Sequence, residues 1–459
     1  MRQAVAVREE VAINGAVFAV RRASRYSRSD QARIQRRTVV VLIASQAAGG
    51  FGLVATYIVS ALLAKDITGS ATLGTIAASC LSIGSASVAV PMTRLMNRYG
   101  RRSGLRFGYL VGAGGALSAV LGAILLNYPL LCVGVFGAGA GNAANLATRY
   151  AASDLSTEQR RASTISMIVW ATTFGSTAGS AVSGFASEVG VAFGLPDKTG
   201  SYVFAGIMFL LAAAIIEVFL RPDPMHVASE LSENGHDGAS KEPALPAPST
   251  REAISLIWQR PEARLAVLAM IVSQVTMVGV MALTPLHMDE GGQSQSVIGY
   301  MMAFHILGMY LFSPVVGRLT DRIGSYPMLF IAGGLCTWGA YWAAITPPAG
   351  ALGVFMGNFL VGLGWCFGVV AASNLMVALY PIHQRVSVQG VGDFAMLASG
   401  AVAGLSSGAL YSIFQYSGVN YANALFGLAL ILATFLTYTG VRRSVRRPHH
   451  QQPAVAVGG

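Results

Sequence analysis

Charged residues are scarce in this sequence. Of its 459 residues, 11% are Asp, Glu, Lys or Arg, whereas a soluble domain devotes about a quarter of its residues to these four types. Hydrophobic residues make up 54% of the chain, and so few charges cannot cover a water-soluble body of that composition. The sequence therefore excludes both a soluble globular protein and a disordered chain, and it indicates a membrane protein.

Lysine and cysteine are also few, and this excludes several activities. None of the three lysines follows a glycine-rich loop of the kind that binds nucleotide phosphates, so we expect no ATP hydrolysis through a P-loop. The four cysteines have no partner at metal-ligand spacing, and we expect them to be packing residues. No His-Glu-x-x-His pair and no Ser, His and Asp grouping of hydrolytic type is present. We therefore expect no enzyme activity, no metal and no cofactor.

Long apolar blocks are what the sequence does contain. Windows of about 19 residues predict twelve membrane-spanning helices. Six lie near 39–63, 71–92, 106–126, 129–151, 163–186 and 201–220. Six more lie near 265–287, 297–316, 328–346, 350–376, 388–412 and 421–440. The predicted fold is an all-α membrane protein with twelve transmembrane helices in two six-helix pseudo-repeats.

The remaining segments divide the chain into five parts. They are a basic tail (1–38), a first six-helix bundle (39–220), a linker (221–264), a second bundle (265–441) and a second basic tail (442–459). The linker is enriched in Pro, Ser, Glu and Gly, which is typical of a flexible connection. Its end, from Thr250 to Arg264, has apolar residues at helical spacing and is expected to lie along the membrane surface.

The basic residues fall almost entirely on one side of the predicted membrane. Alternate connections lie on opposite sides, and one set contains only Lys65 and Lys198, whereas the other contains the remaining 29 Lys and Arg residues. Because basic connections stay in the cytoplasm, we predict a multi-pass protein of the cytoplasmic (inner) membrane, with both termini cytoplasmic and lipids as partners. Aromatic residues do not interleave with the basic ones, so nucleic acid is not an expected partner.

The two halves repeat each other at an offset of about 225 residues. Four short matches share this register: Ile43-Ala-Ser-Gln46 with Ile271-Val-Ser-Gln274, Asn97-Arg98-Tyr-Gly100 with Asp321-Arg322-Ile-Gly324, Gln159-Arg160 with Gln384-Arg385, and Gly175 and Gly179 with Gly400 and Gly404. Parallel repeats of this kind are a device of transporters, in which two similar bundles rock about a central cavity.

One repeated motif resembles a known family. Gly317-Arg-Leu-Thr-Asp321-Arg322-Ile-Gly324 resembles the signature loop of the major facilitator superfamily. The earlier copy, Thr93-Arg-Leu-Met-Asn97-Arg98-Tyr-Gly100-Arg101-Arg102, is similar but has Thr93 and Asn97 in place of the family's Gly and Asp. The resemblance covers roughly residues 39–442. It implies the major facilitator fold. Gly362-Leu-Gly-Trp365 and His305-Ile-Leu-Gly308-Met resemble a branch of bacterial members without an assigned substrate.

The motif residues are candidates for gating. Gly317 would let helices approach, and Gly324 would permit a tight turn. Asp321 could accept hydrogen bonds from the amino end of a helix, where the dipole favours an anion. Asn97 is expected to accept the same bond without the charge. Arg322 is expected to meet a carboxylate or lipid phosphates, and the gating set is completed by Arg98, Gly100 and Arg101.

Polar residues at membrane depth are candidates for a substrate cavity, since such groups tend to face a cavity or a protein partner. The resemblance implies a cavity lined by helices 1, 4, 7 and 10. The candidates on these helices are Gln46, Tyr57, Asn142, Asn145, Arg149, Gln274, Asn358 and Trp365. The alternative for each is a hydrogen bond between helices. For Arg149, near a helix end, the stronger single interpretation is snorkelling towards phosphates.

Two titratable residues are candidates for proton coupling. Asp393 shares a helix stripe with Gly400 and Gly404 and is expected to point into the bundle. Its alternative role is that of a static partner for Arg385 or for a backbone donor. An imidazole such as that of His305, near the middle of helix 8, could titrate near neutral pH, and the alternative is a hydrogen-bonded structural histidine.

These features together predict a secondary active transporter of a small organic solute. Gly175, Gly179 and Gly184 loosely resemble the family's antiporter motif. This favours proton-coupled export of a drug or metabolite by a monomer, with a small molecule and protons as partners. The alternatives are proton-coupled uptake of an organic nutrient, and a transporter-like sensor without flux.

The charge distribution makes a testable prediction about orientation. Green fluorescent protein fused after residue 459 should fluoresce, and alkaline phosphatase at the same point should be inactive, because the basic C-terminal tail is retained in the cytoplasm. Fusions after residue 194 should give the opposite pair of results. An active phosphatase after residue 459 would reverse the assigned orientation.

Overall fold

The computed structural model describes residues 8–13, 16–21, 26–233 and 247–446, apart from a few side chains within the helices. The first half contains α1 (Arg28–Thr68), α2 (Ala71–Tyr99), α3 (Arg101–Ile124), α4 (Tyr128–Ser153), α5 (Arg161–Ala192) and α6 (Thr199–Phe219). Two short helices follow, α7 (Pro224–Glu233) and α8 (Thr250–Gln259). The second half contains α9 (Pro261–Glu290), α10 (Gln295–Tyr310), α11 (Ser313–Ile323), α12 (Ser325–Ile345), α13 (Ala351–Leu379) and α14 (Ile382–Arg446). Ahead of α1, β1 (Arg8–Ile13) and β2 (Ala16–Arg21) form an antiparallel pair.

The helices account for the twelve predicted crossings. Within the described residues, nine helical stretches are long and apolar enough to span a membrane, and α10 and α11 together form one of them. Two more, α1 with 41 residues and α5 with 32, exceed the roughly 20 residues that a crossing needs. The 65 residues of α14 supply two crossings, because the helix is interrupted at Gln415. The all-α, twelve-span prediction is confirmed.

Contacts of α14 with α9 show that the chain reverses at Gln415. Before it, Gly400 lies beside Gln274 of α9. After it, the Tyr416 hydroxyl lies 3.0 Å from the Thr284 hydroxyl, and Asn423 lies beside Gly279. The first part of α14 therefore crosses the membrane in the same direction as α9, and the second part returns.

Some helix boundaries differ from those predicted. Helix α1 begins at Arg28, within the predicted tail, because Ser27 and Asp30 form a capping box at its amino end. The single helix predicted near 297–316 is two helices, α10 and α11. Pro314 lies in the first turn of α11, and its lack of an N–H group prevents a continuous hydrogen-bond ladder through this point.

The two linker helices dock on different halves. Asp223, just before α7, accepts a hydrogen bond from the backbone N–H of Arg102 at the start of α3 (2.8 Å). Helix α8 is held by the second half, since the Tyr380 hydroxyl donates to the carbonyl of Leu256 (3.0 Å). Ile257 of α8 is buried, whereas Trp258 is 71% exposed. This amphipathic character supports the expectation that α8 lies along the membrane surface.

Small residues allow the helices of each half to pack closely. A Cβ atom at Gly84 of α2 would overlap the carbonyl oxygen of Phe136 in α4. One turn away, the Ser85 hydroxyl donates to the carbonyl of Gly139 (2.8 Å). Close backbone approach of this kind is how helices associate in a membrane, where burying apolar surface gives little advantage.

We expect Gly84→Ala to lower the thermal stability of the detergent-solubilised protein. The added methyl group would force α2 and α4 apart, at an overpacking cost of roughly 1–3 kcal/mol. Gly114→Ala is the matched control, since no atom lies within 4 Å of a Cβ at Gly114. Equal melting temperatures for the two variants would show that this contact contributes nothing.

Candidate functional site

The two copies of the repeated motif lie at the same end of the molecule, which we call the basic end. Gly100 ends α2 and Gly324 ends α11, and each has a φ of 90°. A side chain would be strained in this left-handed conformation, so both turns require glycine. At this end the two halves are joined by hydrogen bonds and by an ion pair.

Asp321 joins α11 of the second half to α5 of the first. Its carboxylate oxygens accept from the backbone N–H groups of Ala162 and Ser163, at 2.8 and 2.9 Å. These groups belong to the first turn of α5, where N–H groups lack partners within the helix and the dipole favours an anion. Gly317 makes the approach possible, because a Cβ there would overlap Ser166. The contact is the one expected from the motif, and its part in gating stays a prediction.

Asn97, in the first copy, does not make the expected contact. Its Nδ2 atom donates to the Ser387 hydroxyl of α14 (2.8 Å), and that hydroxyl donates to the carbonyl of Pro248 (2.6 Å). The Ser387 hydrogen is thus already used, so the oxygen can only accept from Asn97. The prediction that Asn97 accepts a hydrogen bond from a helix end was wrong.

The three arginines of the gating set differ in burial. Arg101 is 1% exposed and pairs with Asp154, its Nε and Nη2 atoms donating to the two carboxylate oxygens at 2.8 and 3.1 Å. Nη2 also donates to Oε1 of Gln389 in the second half (2.8 Å). Arg98 and Arg322 are exposed at the basic end. Of the motif arginines, Arg101 is therefore the one that reaches across the two halves.

A second buried ion pair, unlike that of Arg101 with Asp154, crosses between the halves, from α4 to α14. Nη2 of Arg149 donates to Oδ1 of Asp393 (2.5 Å), and its Nε donates to the Ser373 hydroxyl of α13 (2.9 Å). The Tyr150 hydroxyl lies 3.5 Å from the same carboxylate oxygen. Arg149 is 1% exposed and Asp393 is 5% exposed. A guanidinium and a carboxylate are both tolerated at this depth because they are paired.

Two predictions about this pair were wrong. Arg149 does not snorkel towards lipid phosphates, because its face of α4 is turned towards the second half and meets a carboxylate there. Asp393 does not pair with Arg385, whose Nε donates to the backbone carbonyl of Tyr380 (2.8 Å). The partner of each residue lies on a helix of the opposite half, and a sequence does not reveal such a pairing.

Three cavity candidates of the first half bond to neighbouring helices of the same half. The side-chain pairs are Gln46 with Thr172 (2.8 Å), Asn142 with Ser85 (3.1 Å) and Asn145 with Tyr109 (3.2 Å). Gln46, Asn142 and Asn145 therefore make the hydrogen bonds between helices that were the alternative to lining a cavity. Tyr57 lies on α1, and its side chain is outside the described part of the structure.

Two candidates of the second half meet directly. Trp365 of α13 donates its indole N–H to Oε1 of Gln274 on α9 (2.8 Å). The ring of Tyr310 stands edge-on to the indole, with centroids 5.7 Å apart. Trp365 is 3% exposed, whereas Gln274 is half-buried. The result is a mixed polar and aromatic group on the second half.

His305 and Asn358 also come together, in a fully buried network. Nδ1 of His305 lies 2.7 Å from the backbone carbonyl of Asn358, whose side chain donates to the Thr284 hydroxyl (3.2 Å). Both residues are 0% exposed. Among the described residues, Nε2 of His305 has no hydrogen-bond partner. The backbone bond fits the structural alternative for this histidine.

Three residues of the site were missed in the sequence. Tyr150 adjoins Arg149, Asp154 follows the end of α4, and Gln389 precedes Asp393 by one helical turn. The spacing of four residues places Gln389 and Asp393 on one face, and this signal could have identified Gln389. For Asp154 the sequence offers only an acidic residue at a helix end.

Comparison with known proteins gives a consistent picture. The profile of the family described as Major Facilitator Superfamily matches residues 40–292 and 266–458. The chain is 31% identical over 401 residues to the uncharacterized MFS-type transporter YdeG of Bacillus subtilis, covering 87% of this chain and 92% of that protein. It is 25% identical over 389 residues to the riboflavin transporter RfnT of Brucella anthropi, covering 84% and 92%.

Solved structures share the fold at low sequence identity. The proton:xylose symporter XylE superposes with a TM-score of 0.67 at 15% identity, over 90% of this chain and 96% of that one. A bacterial homologue of the iron transporter ferroportin, in an outward-facing state, gives a TM-score of 0.66 at 12% identity, over 89% and 100%. At these identities the likeness concerns the fold alone.

We expect Asp321→Ala to open the basic end while leaving the protein inserted in the membrane. The variant loses two hydrogen bonds to a charged acceptor, so the open fraction should rise at least about tenfold, and transport should be impaired. Distances between spin labels on the basic ends of the two halves measure the opening.

Arg318→Ala is the control for this experiment, since Arg318 is exposed and bonds only weakly, to a carbonyl of its own helix (3.4 Å). It should leave the distance distribution unchanged. Wild-type distances and normal flux in Asp321→Ala would contradict the gating role.

Proposed function

Because this chain belongs to the major facilitator superfamily, we propose that it moves a small organic solute across the cytoplasmic membrane by alternating access, coupled to protons and in the direction of export. The chain is a membrane transporter, not an enzyme. Substrate, coupling and direction are the parts that we propose, and each has its own support.

The ion pair between Arg149 and Asp393 carries the proposal of proton coupling. It joins the two halves near the basic end, so opening that end must break it. A proton on Asp393 removes the negative charge that holds the pair together. Protonation of Asp393 therefore competes with closure of the basic end. A condition that favours the protonated carboxyl shifts the equilibrium towards the open conformation, and one that favours the carboxylate shifts it towards the closed conformation.

Electrostatics supports an uncharged substrate. Arg149 and Asp393, the ion pair that crosses between the halves, neutralise each other. The cavity candidates that remain are amides and aromatic rings, notably Gln46 on the first half and Gln274 with Trp365 on the second. Such a lining suits a neutral solute of medium size that has hydrogen-bonding groups and a flat apolar part.

The glycines of α5 support export. Gly175 and Gly179 lie against the backbone of α1 at Ala47 and Phe51. Their spacing resembles the antiporter motif of the family, in which a substrate leaves in exchange for entering protons. The same two glycines are also required by close packing, so their support for export is limited to the resemblance.

Uptake of an organic nutrient is the second candidate, favoured by one relative. RfnT of Brucella anthropi is named a riboflavin transporter, and the Trp365 and Tyr310 rings could stack on a flat heterocycle of that kind.

Growth tests with deletion and overexpressing cells separate the candidates. Resistance to toxic compounds favours export, and a growth requirement for a nutrient favours uptake. If no compound that emerges gives flux in proteoliposomes, the sensor alternative is favoured.

We predict that Asp393→Asn abolishes flux driven by a pH gradient and leaves substrate exchange without a gradient largely intact. The amide cannot take up and release a proton, whereas it keeps the size of the carboxylate. Flux into proteoliposomes with and without an imposed pH gradient measures the effect for any substrate that the screen identifies.

Asp393→Glu is the companion variant, because Asp393→Asn also leaves Arg149 buried without its partner. The glutamate keeps the charge and should retain gradient-driven flux. Undiminished gradient-driven flux in Asp393→Asn would remove Asp393 from the coupling mechanism and leave it a structural role.

A further inference from the structure

Gln389 occupies a place between the two buried ion pairs. It lies on α14 one turn before Asp393 and is 1% exposed. Its Oε1 atom accepts from Arg101 of the first half (2.8 Å). Its Nε2 atom has no hydrogen-bond partner among the residues that the structure describes. A buried donor without a partner is costly, so this N–H group calls for an acceptor.

A small cavity adjoins this donor. It has a volume of about 10 Å³ and is lined on one side by Gln389 and Asp393 and on the other by Tyr150 and Arg101. A cavity of roughly this volume holds one water molecule if polar partners are present. Gln389 can donate to such a water, and Asp393 can accept from it, since Arg149 and Tyr150 bond to only one of its carboxylate oxygens, Oδ1.

A larger cavity continues from the small one to the surface of the basic end. It has a volume of about 350 Å³ and lies between α2, α14 and the residues at the start of α8. Thr93 and Gly390 line both cavities. They form a narrow neck, because a Cβ atom at Gly390 would overlap the Thr93 hydroxyl. The neck lies between α2 and α14, one helix from each half, and so must widen as the halves separate.

We propose that the small cavity binds one water molecule, held by Gln389 and Asp393, which passes protons between Asp393 and the solution at the basic end. This inference rests on the proposed coupling role of Asp393. As the bound water gives a proton to the Asp393 carboxylate, it takes one from a hydronium ion in the outer cavity, which becomes water. For release the same two transfers run backwards. Uptake thus brings one proton from the solution to Asp393, and release returns one proton to the solution. The bound water is unchanged after either process.

The charges around the site favour a neutral carrier. Asp393 is faced by Arg149 and Tyr150 from α4 and, beyond Gln389, by Arg101 from α3. The charge of Arg101 is paired with Asp154, whereas that of Arg149 is paired with Asp393 itself. Two guanidinium groups disfavour a resident hydronium ion and leave a neutral water as the relay.

The test is a pH jump on the full-length protein in nanodiscs, without substrate. A donor and acceptor dye pair on the basic ends of the two halves reports opening after a drop from about pH 8 to about pH 3.5, a range that includes the ordinary pKa of an aspartate carboxyl, about 3.9. Gln389→Leu removes the amide and should slow opening about tenfold, as expected for loss of one hydrogen bond in the relay step. Thr93→Val, which removes the hydroxyl at the neck, should slow it as well.

Asn97→Ala is the matched control. It too removes a hydrogen bond between α14 and the first half, but Asn97 does not line the small cavity. It should shift the pH midpoint of opening without slowing the response. If Gln389→Leu responds as fast as Asn97→Ala, Gln389 only helps to close the basic end, and the relay is wrong.

Asp393→Asn separates the two levels of the proposal. If it abolishes the pH response while Gln389→Leu leaves the rate unchanged, the coupling role stands and the relay fails. A pH response that persists in Asp393→Asn would overturn the coupling role, and the relay with it. Gln389→Asn, which keeps the amide, should recover part of the rate if the relay is correct.

Discussion

The closed state of this transporter depends on the pairing of Arg149 with Asp393. The two residues are 244 positions apart and lie in different halves. Removing one charge would leave the other buried without a partner, at a cost of several kcal/mol. We propose that a single proton on Asp393 releases the same pair. A contact of this kind both stabilises one conformation and makes its stability depend on the state of one carboxyl group.

The two copies of the repeated motif make different contacts between the halves. In the second copy, Asp321 keeps its charge and sits on the amino end of α5. In the first copy, Asn97 makes a neutral bond to Ser387, and the two cavities lie beside it. Because Asn97 is uncharged, the first copy adds no carboxylate to the described lining of the larger cavity. The side of the molecule with the weaker contact is thus the one through which we propose that protons move.

Close packing of small residues supports both contacts. Gly317 lets α11 approach α5 until Asp321 reaches its backbone, and Gly390 lets α14 approach α2 until the neck closes. Neither contact would form with a larger residue at these positions. Glycine at these two positions therefore sets how closely the two halves approach each other when the basic end is closed.

Hydropathy and charge are local properties, and for this reason the sequence alone determined the twelve crossings, the two-fold repeat and the family. The contact of Asp321 with a helix end could also be predicted from the sequence, because every helix has unpaired N–H groups at its amino end. The partner of Arg149, the donor role of Asn97 and the position of Gln389 were not. They depend on how each helix is rotated about its axis and on which faces of the two halves meet. Only the tertiary structure decided these, because residues hundreds of positions apart become neighbours only when the two bundles close on each other.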